Sequence, residues 1–123
     1  MIAGAHRNRG LGISFLRHIE RCVCLLYIID AAQPEPQEQL EVLRYEIEQY
    51  NSELLSRPSA VVANKMDLPK ALENLQQLRQ YAEELNLPLF AISAENSKGL
   101  LPVLQHIRVL YDSSLKDAVD VSD

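Results

Sequence analysis

Val61-Val62-Ala63-Asn64-Lys65-Met66-Asp67 is the stretch from which the rest of this chain is read. Two β-branched residues and an alanine form the end of a buried strand, and Asn-Lys-Met-Asp follows where that strand runs out. Open α/β sheets bind their ligands outside the carboxyl ends of parallel strands, so a polar run in this place predicts a binding loop. A second stretch repeats the arrangement. Leu89-Phe90-Ala91-Ile92 runs into Ser93-Ala94-Glu95, with Gly99 beyond, and a single helical pattern separates the two stretches.

The elements around these loops follow from apolar spacing. Val23 to Ile29 is a nearly continuous apolar run closed by Asp30, which predicts a strand near 23–29 with both faces covered by helices. Pro34 and Pro36 mark a loop, and a helix is expected over 36–55. There Leu40, Leu43, Ile47, Tyr50 and Leu54 advance in steps of three and four, with Glu38, Glu41, Glu46, Glu48 and Glu53 on a solvated face. Arg57-Pro58 ends it, and Ala60 to Ala63 form the second strand. Pro69 opens another helix, with Leu72, Leu75, Leu78, Ala82 and Leu85 facing inward, and Asn86-Leu87-Pro88 closes it before a third strand over 89–92. Pro102 suits the first turn of a last helix, where N–H groups lack intrahelical partners anyway. Leu100, Val103, Leu104, Ile107, Leu110 and Tyr111 form the apolar face of that helix. Upstream, Gly-rich residues 1–12 read as a loop, and Phe15, Leu16 and Ile19 as a short helix near 13–21. Residues 113–123 read as a disordered acidic tail. A helix followed by three strand–helix units predicts an α/β fold of about three parallel strands with covering helices.

At 123 residues the chain is one domain at most, and its 47% hydrophobic and 24% charged content is globular. A net charge of -5 argues against a general nucleic-acid binder. Cys22 and Cys24 are too few for a structural zinc site and read as buried free thiols in a reducing compartment. No run reaches the length of a membrane-spanning helix, and no secretory or transit signal is expected.

The two loops carry specific chemistry. A carboxylate at Asp67 can accept two parallel hydrogen bonds from a planar donor pair, which guanine offers through N1–H and its 2-amino group. Adenine has an acceptor at N1 and no 2-amino group, so it leaves the carboxylate unpaired. Each such charge-assisted bond contributes roughly 1.5–3 kcal/mol. Asn64 can serve both the base and the loops that frame it, and the aliphatic stem of Lys65 can lie over the ring face.

Asn64-Lys65-Met66-Asp67 resembles the Asn-Lys-x-Asp guanine-specificity motif of the P-loop GTPases, and Ser93-Ala94-Glu95 resembles that family's Ser-Ala loop. The resemblance implies that the Ala94 N–H meets guanine O6; Glu95 stands where many such GTPases have a Lys. The segment Ile2-Ala3-Gly4-Ala5-His6-Arg7-Asn8-Arg9-Gly10-Leu11-Gly12, with Phe15-Leu16-Arg17-His18-Ile19-Glu20-Arg21-Cys22, resembles the switch region of the Obg-family GTPases. The similarity is greatest to the mitochondrial, ribosome-associated branch of that family. It implies that residues 1–112 are the C-terminal half of an Obg-type GTPase domain with a Rossmann-like sheet. It also implies GTP or GDP as ligand, Mg²⁺ in the complete domain, a mitochondrial (alternatively cytoplasmic) location, and a role in large ribosomal subunit assembly. Residues 6–21 are then candidates for ribosomal RNA contact. No G-x-x-x-x-G-K-[ST] phosphate loop and no Asp-x-x-Gly magnesium turn occur in these 123 residues. The expectation is therefore a guanine site without catalytic residues or metal ligands, and the alternative is a non-enzymatic fragment that docks on a ribosome or protein, or a truncated isoform with no function of its own.

Overall fold

The computed structural model describes residue 22 and residues 24–122, with side chains described as far as residue 113. The helix expected over 13–21 and the contact segment 6–21 lie outside the described residues.

Ser59–Asn64 (β2) is the strand around which the fold is built, and its first five residues are all buried. It pairs in parallel with Leu25–Asp30 (β1) on one side and with Leu89–Ala91 (β3) on the other, in the order β1-β2-β3. The register sets Asp30 opposite Asn64 and Ala63 opposite Ala91, so all three strands end at one rim. Parallel pairing past these ends continues through Ile92 N–H to Ala63 C=O (2.8 Å) and Met66 N–H to Ile92 C=O (3.0 Å).

Among the described residues three α-helices complete the layers: Pro36–Tyr50 (α1), Pro69–Glu84 (α2) and Leu100–Ser122 (α3). α1 and α2 each begin with a proline, placed where no intrahelical partner is lost. On one face of the sheet, Leu25, Tyr27, Ile29, Val61 and Ala63 pack with Leu40, Leu43 and Ile47 of α1 and Ala71, Leu78 and Ala82 of α2. On the opposite face, Val62 and Ile92 pack with Val103 of α3, flanked by Leu26, Phe90, Leu100 and Ile107. This is a three-layer α/β arrangement with parallel strands. Burying each large aliphatic side chain contributes about 1.5–3 kcal/mol.

Several boundaries differ from the apolar pattern. α1 stops at Tyr50 rather than near 55, because the Asn51 side chain accepts the Glu53 N–H and starts a separate 3-10 turn over Ser52–Ser56. Leu54 is buried from that turn. Glu46, expected on the solvated face, is buried; it stands three residues on from Leu43, at the edge of the buried stripe. Leu72 and Leu104 are exposed instead of inward-facing, as is Tyr111, because each helix buries a narrower stripe than the sequence pattern suggests. Ile28 is 44% exposed, so β1 is covered on one face and only partly on the other. Cys22 is exposed and Cys24 half-buried, rather than both buried, and neither forms a disulfide. α3 continues to Ser122, past Tyr111 where its apolar pattern ends.

α2 closes as its Asn86-Leu87 sequence predicts. Asn86 takes the left-handed conformation (φ 58°), and the Leu87 N–H bonds back to Ala82 C=O at 2.9 Å. If the core is arranged this way, Ile47→Ala should destabilise the chain by about 2–5 kcal/mol, whereas Leu72→Ala should change stability by about 0.5 kcal/mol or less. Urea unfolding followed by circular dichroism distinguishes these outcomes.

Candidate functional site

Asn64 joins the two loops at the C-terminal rim. Its Oδ1 accepts the Lys65 N–H at 2.8 Å and the Ala94 N–H at 3.1 Å. Two N–H donors require the oxygen in that position, which leaves Nδ2 as a donor with no partner among the described residues. Asp67 lies on the same rim and is solvent-exposed. The Ser93 hydroxyl donates to Asp67 Oδ1 at 2.8 Å and also accepts the Asn96 N–H at 3.3 Å. Asp67 Oδ2 has no protein partner among the described residues. Ser93 is itself buried, so its hydroxyl fixes the carboxylate from below while the other side remains open.

The Ser93–Gly99 loop is held by a small antiparallel bridge, in which Ser93 and Lys98 exchange two backbone hydrogen bonds of 3.0 Å. Gly99 makes the closure possible. Its φ is +76°, and a Cβ there would stand 2.4 Å from the Ala91 carbonyl oxygen, so any side chain would push the loop off the strand end. Between this loop and Asn64–Asp67 lies a shallow cleft of about 180 Å³, lined by Met66, Asp67, Ser93, Asn96, Lys98 and Gly99 among others.

The seven residues singled out in the sequence thus come together, with different tasks. Asn64, Ser93 and Asp67 form one hydrogen-bonded set. The Met66 side chain packs against the hydrophobic core, and its N–H ties the two loops. Glu95 is exposed, and its charge acts on Lys65. The Ala94 N–H, which the resemblance assigns to guanine O6, is engaged by Asn64, so it serves such an oxygen only by sharing or releasing that long bond.

Asp30 was read from the sequence only as the end of a strand, yet it belongs to the rim. Its Oδ2 receives the Lys65 Nζ at 2.8 Å, and its Oδ1 accepts the Ala32 N–H at 3.0 Å. Burial alone would push the Asp30 carboxyl up, but the Lys65 ammonium and the Ala32 N–H outweigh it and hold the group below its ordinary value. Lys65 is held above its ordinary value, by the hydrogen bond and charge of Asp30 first and by Asp67 and Glu95 after it. A carboxylate at the end of an apolar strand was the available signal. Its partner became visible only through the register that sets Asp30 against Asn64.

No group of three or more His, Cys, Asp or Glu that could hold a metal ion occurs among the described residues. Nor is any helix there long and apolar enough to cross a membrane.

The ion pair predicts a pH signature. The lowered Asp30 value makes its contribution to stability present above 3.8 and lost as pH falls through the folded-state value. The raised Lys65 value makes its contribution present below 10.5 and lost as pH rises through the folded-state value. The stability difference between the native chain and Asp30→Asn should therefore plateau between these limits and shrink outside them. Denaturant midpoints of both proteins across the pH range measure it.

With this geometry in place, the chain was compared with known proteins. No protein-family model matches it. It is 51% identical over 113 residues to the human protein named mitochondrial ribosome-associated GTPase 2, an alignment covering 92% of this chain and 27% of that protein. It is 44% identical over 117 residues to the GTPase Obg of Anoxybacillus flavithermus, covering 93% of this chain and 27% of the relative. The GTPase Obg of Acetivibrio thermocellus is 37% identical over 126 residues, covering all of this chain and 30% of that protein. The chain therefore spans little more than a quarter of the length of these relatives, and over that span it is similar to Obg-type GTPases.

Proposed function

We propose that this chain is the base-recognition part of a GTP-binding domain, with guanine held at the rim formed by Asn64–Asp67 and Ser93–Glu95. The observation that supports this most is the state of Asp67. One carboxylate oxygen is oriented by Ser93 at 2.8 Å, and the other is free and exposed. Each carboxylate oxygen has two acceptor positions, so the pair can still take the N1–H and 2-amino hydrogens of guanine together. The unpartnered Asn64 Nδ2 is a suitable donor for N7 of the same ring. Ala94 supplies the O6 contact by sharing its N–H, and Met66 and Ser93 hold the two loops at a fixed separation.

In this reading the phosphates and Mg²⁺ of GTP or GDP are bound by parts of the domain other than the described residues. Phosphoryl transfer depends almost wholly on positioning and charge stabilisation at the phosphates. The rim described here accordingly selects the nucleotide and carries no catalytic residue. The resemblance to mitochondrial ribosome-associated relatives supports a place for the complete protein in mitochondria, acting on the large ribosomal subunit during its assembly. The segment 6–21, with His6, Arg7 and Arg9, is the proposed contact with ribosomal RNA.

Asp67→Asn tests the base reading. The amide places a donor where the carboxylate had only acceptors, which opposes the 2-amino group of guanine and suits the carbonyl of xanthine at the same carbon. The expected result is weaker binding of guanine nucleotides and stronger binding of xanthine nucleotides. The swing is about 2–4 kcal/mol, or about one and a half to three decades in relative affinity. Competition binding of the two nucleotides to both proteins measures it, and an unchanged ratio removes Asp67 from base recognition.

A further inference from the structure

Lys65 is fastened at both ends. Its backbone takes the left-handed conformation (φ 68°), a costly one for a side-chain-bearing residue, with its N–H held by Asn64 Oδ1. Its ammonium reaches the neighbouring strand and meets Asp30 Oδ2 at 2.8 Å. The stem therefore runs along the rim from the end of β2 to the end of β1.

Asp30 is in turn held from three directions. The Gln39 side chain accepts the Asp30 N–H at 3.0 Å and donates to the Asp30 carbonyl at 2.8 Å. Asn74 Nδ2, from α2, donates to the carbonyls of Ala31 (3.0 Å) and Gln33 (2.9 Å), which fixes the loop after β1. The Ala32 N–H occupies Asp30 Oδ1, leaving Oδ2 for Lys65. Helices α1 and α2 thus both contribute a polar side chain that fixes the backbone around one carboxylate. A structural turn needs only the Ala32 contact; the second oxygen is aimed at Lys65.

We propose that Asp30 is a positioning residue of the base site, acting through Lys65. By anchoring the ammonium it restricts a side chain with several free torsions, so that the aliphatic stem forms a ready-made face for a planar purine. This rests on the guanine reading given above and extends the site to β1, α1 and α2.

The test is titration of the 123-residue chain with GMP, using AMP as the control for phosphate binding and the Ala94 amide resonance as the reporter. Asp30→Asn keeps the size of the side chain and an oxygen for the Ala32 N–H, but removes the charge that holds Lys65. Lys65→Met keeps an unbranched apolar stem and removes the ammonium. The pair is partly exposed, so Asp30→Asn should weaken GMP binding about two- to fivefold and leave AMP unchanged. Introduced into Lys65→Met, the same change should have no further effect. Equal GMP affinity for the native chain and Asp30→Asn overturns the proposal, as does a loss of the same size in the Lys65→Met background, which marks a role in the turn alone. A native chain that does not prefer GMP to AMP overturns the guanine reading and this inference with it. Should Asp30→Asn not fold, salt replaces it. About 0.5 M KCl should lower the GMP preference of the native chain and leave that of Lys65→Met unchanged, and a salt-independent native preference overturns the proposal.

Discussion

The rim depends on the oxygen of one amide. Asn64 Oδ1 takes the N–H of the residue after it and that of Ala94, thirty positions along the chain, and so joins two loops that leave different strands. A single acceptor serving both loops fixes their separation to within the tolerance of a hydrogen bond. The contact is possible because β2 and β3 run parallel in a register that pairs Ala63 with Ala91 and so brings Asn64 level with Ile92, two residues before Ala94. The backbone bonds from Ile92 to Ala63 and from Met66 to Ile92 extend that register beyond the strands. An apolar residue at 64 would leave the two N–H groups to solvent and the loops free to separate. The hydrogen bond from Ser93 to Asp67 would then lose its geometry as well.

Much of this was legible in the sequence. β2 is apolar at successive positions and sits at the centre of the sheet, where both faces are covered. The two polar runs lie at the rim because parallel strands must end there together. The remainder depends on contacts that periodicity does not encode. The apolar run of β1 resembles that of a fully covered strand, yet Ile28 is half open because α3 covers mainly the β2 and β3 side. Asn51 ended α1 through a side-chain cap, a signal present in the sequence but weaker than the leucine repeat that continues across it. Glu46 stands at the edge of the stripe through Leu43 and Ile47, and its charge reads as a solvated position although it is buried.

The site shows the same division. Asn64, Asp67, Ser93 and Ala94 could be identified as a set, because chain order places both loops after strands. Asp30, Gln39 and Asn74 could not, since nothing in the sequence pairs a glutamine of α1 or an asparagine of α2 with the backbone at the end of β1. These three add a polar layer behind Lys65, and with it the site spans the whole rim from β1 to β3. The rim also carries more negative than positive charge, with Asp30, Asp67 and Glu95 against the ammonium groups of Lys65 and Lys98. That balance suits a ligand face presenting N–H donors.

The central claim is that Asp67 and Asn64 read a guanine ring at this rim, and a crystal structure of the chain with GMP tests it most directly. The base should lie at the rim, its N1 and 2-amino nitrogens within about 3 Å of the two Asp67 carboxylate oxygens. N7 should face Asn64 Nδ2, and the Lys65 stem should lie along one ring face with its ammonium still on Asp30. A base bound elsewhere on the chain, or one at the rim with Asp67 turned away from its N1 edge, would contradict it.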